Sequence, residues 1–125
     1  MKRKLSKTAL SFVLSLAATS AFAHEPTTGP NGGLQVDAGA YHAELVADGS
    51  TKVALYLSDA NGKPVPAAGF KASAIFIVDG KPQRFALAPA EGSKLMGEAA
   101  VPLAMPTKGA VQLTAPDGQT GQAKF

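Results

Sequence analysis

No cysteine occurs in the 125 residues. That excludes disulfides, a cysteine nucleophile and a lipid-modified cysteine behind a leader, so hydrophobic packing must stabilise the chain unless a metal or partner helps. Long apolar runs are missing as well. The one within Thr8–Ala18 is too short for a membrane-spanning helix, which needs roughly 20 residues. Beyond it no segment carries a sustained helical stripe, and no glycine-rich loop opens a helix to cradle phosphate. No Ser-His-Asp arrangement is apparent, and the carboxylates are scattered, almost all beside turn residues or on outward strand faces. The chain therefore reads as a non-enzyme. Histidine is scarce, limited to His24 and His42.

At the N-terminus stands a secretory leader pattern. Lys2, Arg3, Lys4 and Lys7 precede or flank the apolar stretch, and Ala21-Phe22-Ala23 puts small residues where signal peptidase needs them. Cleavage after Ala23 is expected, giving an exported protein of 102 residues that begins at His24. Residues 24–33 are expected to form a flexible arm and residues 34–125 the folded domain. Four of the 12 Lys+Arg lie in the leader and all 9 Asp+Glu after it, so cleavage leaves 8 basic against 9 acidic residues, a net of −1 with His neutral. The sequence pI of 9.3 thus belongs largely to the leader. Neither nucleic acid nor a membrane surface is an expected partner of the processed chain.

All 13 Gly and 9 Pro follow residue 23, and they punctuate short alternating runs. Leu34–Ala38 and Tyr41–Ala47 flank Gly39-Ala40. In the second run Tyr41, Ala43 and Leu45 share one face, and His42, Glu44 and Val46 the other. The first set is expected to face the core, and His42 with Glu44 to face water or the N-terminal arm. Asp48-Gly49-Ser50 turns into Lys52–Asp59. Val65–Gly69 reads as an edge or crossover. Lys71–Asp79, with Ala-Ile-Phe-Ile-Val apolar on both faces, predicts a central strand covered on both sides. Asp79-Gly80 turns the chain into Gln83–Ala88, with Pro82 at the strand start. Lys94–Leu103 alternates as one long strand, and Ala110–Ala115 and Gln119–Phe125 form a last pair. Seven or eight short strands with turn signals roughly every eight to twelve residues predict an all-β fold, a compact antiparallel β-sandwich of immunoglobulin-like or cupredoxin-like shape.

Cleavage after Ala23 also creates chemistry. His24 then offers its α-amine and imidazole as a chelating pair, and His42 a third nitrogen, a T-shaped histidine brace suited to copper(II). An α-amine titrates near 7.7–8.0, so copper displaces its proton at modest cost at neutral pH. Asp37, Glu44 and Glu25 are candidate oxygen ligands, and Met96 and Met105 candidate thioether donors to copper(I). A second reading makes His42 and Glu44 an ordinary surface pair and the methionines gap-fillers in the packing. The sequence leaves both open. The alternative to metal binding is a non-catalytic module that docks on an envelope protein through an exposed sheet edge.

Gly29-Pro30-Asn31-Gly32-Gly33-Leu34-Gln35-Val36, followed by Ala40–Val46, Val53–Asp59 and Gly62-Lys63-Pro64-Val65, resembles small exported β-domains of proteobacteria and the start of some heavy-metal efflux adaptor proteins. The resemblance covers most of the chain after residue 23. Where that family's opening reads Gly-Pro-His-Gly-Gly, this chain has Asn31 in place of the histidine, which removes one candidate ligand. The resemblance implies a periplasmic protein connected with copper or other heavy-metal handling, as in heavy-metal resistance.

Overall fold

A computed structural model describes residues 25–125. The leader expected over residues 1–23, and His24, lie outside the described residues. The chain forms β1 (Thr27–Thr28), β2 (Leu34–Ala38), β3 (Tyr41–Ala47), β4 (Lys52–Ser58), β5 (Lys71–Val78), β6 (Lys81–Pro89), β7 (Lys94–Glu98), β8 (Lys108–Thr114) and β9 (Thr120–Lys124). Every pairing is antiparallel, in the order β1-β2-β3-β4-β7-β6-β5-β8-β9. The fold is all-β, as the turn spacing predicts. Among the described residues no helix is long and apolar enough to cross a membrane.

The two-layer sandwich is replaced by a single sheet curled into a half-barrel. The reason lies in β7, which pairs with β4 on one side and β6 on the other and so joins what would otherwise be two sheets. Where the curl closes on itself, β2, which carries the two-residue end strand β1, approaches the other end strand β9 without pairing. The strand count is nine rather than seven or eight, with the two-residue β1 supplied by the arm.

Strand alternation decides what lies inside the curl. On β3 Ala43 and Leu45 are buried, and Tyr41 meets Phe70 edge-on with ring centroids 5.2 Å apart. Leu55, Leu57, Phe76, Leu95, Val111 and Leu113 complete the interior from β4, β5, β7 and β8. A single curled sheet has only one interior, so β5 is covered on one side and not on both. Ala72, Ala74 and Phe76 are buried, whereas Ile77 on the opposite face is 47% exposed.

Turn chemistry sets the connections. Asp79 and Gly80 both take positive φ, 51° and 75°, as a two-residue type I′ hairpin requires, and Pro82 follows as the second residue of β6. Val65–Gly69 forms no strand, because Pro64 and Pro66 have no N–H to give a ladder, and only an isolated bridge joins Ser58 to Pro64. The long run from Lys94 ends as a strand at Glu98. Beyond it the Ala99 and Leu103 amides donate to the Thr51 and Ser50 carbonyls, so this segment wraps the Asp48–Thr51 turn.

That turn carries a shifted acid. The Ser50 hydroxyl and then the Ser50 amide donate to the Asp48 carboxylate and hold its pKa below the ordinary value. Because the folded value lies below the unfolded one, the contribution of Asp48 is complete above the unfolded value and is lost as pH falls through the lower folded value. A carboxyl titration followed by NMR is expected to place Asp48 below the ordinary aspartate value. Ser50→Ala should move its midpoint back up, and an unchanged midpoint would remove the assigned cause.

Candidate functional site

The β2–β3 hairpin turns at Gly39-Ala40, and its register sets Asp37 opposite His42 and Gln35 opposite Glu44. All four residues occupy the outward positions of their strands, so their side chains stand on the convex side of the sheet. His42 Nδ1 donates to Asp37 Oδ1 at 2.9 Å, with the side chains 21% and 33% exposed. This is a carboxylate–imidazole pair at the mouth of a recess. With the proton of the neutral ring on Nδ1, Nε2 keeps its lone pair and points away from Asp37. A carboxylate in this position fixes the tautomer and the orientation of the ring, as it does behind metal-bound histidines.

The arm reaches the same recess from the other side. β1 pairs antiparallel with β2 through Thr27↔Gln35 and Thr28↔Leu34. Followed two residues further, that register brings Glu25 level with Asp37. The recess is indeed lined by Glu25, Thr27, Gln35, Asp37, His42 and Ala60.

Glu44 lies next along the outward face of β3, but its surroundings differ entirely. It is 2% exposed, the one buried polar or charged side chain among the described residues. Its Oε2 accepts from the Asn31 amide at 2.9 Å and the Gly33 amide at 2.8 Å, and its Oε1 accepts from Asn31 Nδ2 at 2.9 Å. The Gly29–Gly33 turn, closed by Gly29 N–H to the Gly33 carbonyl at 2.9 Å, lies over the carboxylate. Gly29 has to be glycine there, since a Cβ would fall 2.2 Å from Glu44 Cδ. Of the two directions the alternation allows for Glu44, water or the arm, the structure takes the arm.

Asp37 and His42 are therefore brought together, with Glu25 at the edge of their recess. Glu44 is not brought to them: its oxygens are taken up by the turn. Met96 sits half-buried on β7, opposite Ala54 and Ala88, and Met105 packs against the core. Among the described residues no group of three or more His, Cys, Asp or Glu is placed to hold a metal ion. His24 lies outside them, one residue before Glu25. Sequence reasoning missed Asn31 and Gly33 as partners of Glu44. The available signal was the Gly29-x-Asn31-x-Gly33 spacing, a turn rich in unpaired amide donors two strands from a carboxylate in register. Comparisons with protein-family models, with curated proteins and with solved structures find no match.

Proposed function

We propose that the processed protein is an exported, periplasmic, non-catalytic metal-binding domain that takes copper, with His24 and His42 as nitrogen ligands and Asp37 as the residue that orients His42. The observation that carries this reading is the Asp37–His42 pair in a recess bordered by Glu25. Consecutive Cα atoms are 3.8 Å apart, so a chain starting at His24 has its α-amine within a few ångströms of the Glu25 backbone. The donors on offer, an amine and two imidazoles, are nitrogen ligands that copper(II) prefers in tetragonal geometry. Asp37 holds the His42 ring through Nδ1, while Glu44 serves the turn.

The test is copper titration of the protein with its N-terminus verified by sequencing, read by calorimetry and EPR. One equivalent should bind with a nitrogen-rich spectrum. His42→Ala should weaken affinity by roughly 100-fold or more, and a single residue added before His24 should do likewise by blocking the chelate. Binding no tighter than millimolar in the correctly processed chain would end the copper reading.

A second reading is favoured by the outer face of β5. Ile77 is 47% exposed there, cross-strand from Lys108 and Pro82, with Ile75 half-buried beside it between Arg84 and Ala110. Aliphatic side chains flanked by cations suit an acidic envelope protein as partner. Capture of one stoichiometric partner in chelator, abolished by Ile77→Lys, would support that module. Capture unaffected by the substitution would remove this face from consideration.

A further inference from the structure

Glu44 is a buried carboxylate that the copper reading does not use, and the motif it binds is the Gly-rich opening singled out in the sequence. We propose that Glu44 is a positioning residue: by gripping Asn31 and Gly33 it folds the N-terminal arm back along β2 and delivers Glu25 to the Asp37–His42 recess. For its purpose, though not for its geometry, this inference rests on the metal-binding reading.

β1 has only two residues, too few to hold an arm against β2 on its own ladder. The turn that follows makes only two backbone hydrogen bonds within itself, Gly29 N–H to Gly33 O and Gly32 N–H to Gly29 O. Its other inward donors, the Asn31 and Gly33 amides and the Asn31 carboxamide, all converge on Glu44. Charge-assisted hydrogen bonds of this kind are the strong ones, and their shielding from water strengthens them further. Glu44 is itself held on β3 between Gln35 of β2 and Tyr56 of β4, so the anchor is part of the sheet. Gly29 and Gly33 lie against it closely: a Cβ on Gly29 would overlap Glu44, and one on Gly33 would sit 2.2 Å from the Leu45 carbonyl oxygen. The direction in which the arm leaves this turn is thus set by one carboxylate. Only with that direction does Glu25 reach the recess that holds His42. His42 and Glu44 are two apart on one strand, so the ligand and the anchor of the arm are fixed relative to each other.

The absence of native cysteine makes the test clean. A nitroxide on Glu25→Cys in the processed, metal-free chain should broaden the NMR signals of the His42 ring and the Asp37 amide. In Glu44→Ala that broadening should be lost, and exchange of the Gly33 amide should speed up by about tenfold or more. Asn31→Ala, which removes the side-chain donor and keeps the backbone amide on Glu44, should show the same effects more weakly and keeps the test usable if Glu44→Ala fails to fold. Leu87→Ala, a core truncation on β6, controls for general destabilisation and should leave the broadening intact. Copper affinity without the label should fall roughly 10- to 100-fold in Glu44→Ala and stay unchanged in Leu87→Ala. Broadening that persists in Glu44→Ala, or copper affinity that follows overall stability alone, overturns the positioning role. A wild-type chain that binds no copper overturns the metal reading instead, and the broadening still decides where Glu44 sends the arm.

Discussion

Phe76→Ala is expected to destabilise the domain by about 3–5 kcal/mol, the range for losing a buried aromatic ring. Phe76 is fully buried at the middle of β5, between β6 and β8. Its ring lies 6.1 Å from that of Phe85 and 6.0 Å from that of Phe125, so three of the six phenylalanines meet there. The loss includes the transfer of the ring, its aromatic contacts and a cavity that a curled sheet cannot readily collapse, because its strands are tied on both sides. No disulfide limits the unfolded chain, and domains of this size have about 5–15 kcal/mol in total. Thermal unfolding followed by circular dichroism should show a midpoint lower by roughly 20 °C. A fall of only a few degrees would mean that the interior is looser than these contacts indicate.

Gly121→Val is the second large expected effect, at about 3 kcal/mol, near the top of the usual range for overpacking. Gly121 lies in β9, where the end of the sheet comes against β2. A Cβ there would stand 2.6 Å from the Ala38 carbonyl carbon and 2.7 Å from its oxygen. Backbone on the other side cannot rotate out of the way as a side chain does, so the seam between β2 and β9 must open. Denaturant unfolding should show the lowered stability, and hydrogen exchange should show where it arises, with protection lost first in β2 and β9 and retained in β5. Because Asp37 precedes Ala38, the displacement should also loosen the Asp37–His42 hydrogen bond. Unchanged stability would show that the two ends of the sheet are not in close contact in solution.

Much of this was legible from local pattern. Leu34–Ala38 and Tyr41–Ala47 coincide with β2 and β3 because alternation in a strand is set by the pleat itself, and Gly39-Ala40 leaves the chain no room to continue straight. The Asp37–His42 pairing follows from that same two-residue turn, since the turn fixes the register. Val65–Gly69 reads as an edge or a crossover, and the two prolines decide between them: without a ladder it is part of the crossover from β4 to β5. The burial of Glu44 was not legible in β3 alone. Alternation places it outward, and only the return of the Gly29–Gly33 turn over the sheet converts that outward site into a buried one.

Taken alone, the amino-acid order determined an antiparallel all-β chain, the positions of most strands and the facing of Asp37 and His42, because pleat, proline and glycine act over a few residues. Tertiary structure alone decided that there is one curled sheet instead of two, that β5 has an open face, and that Glu44 anchors the arm. Those outcomes depend on which distant strands pair and what folds over them. The same local pattern is compatible with either arrangement until β7 takes β4 and β6 as its two neighbours.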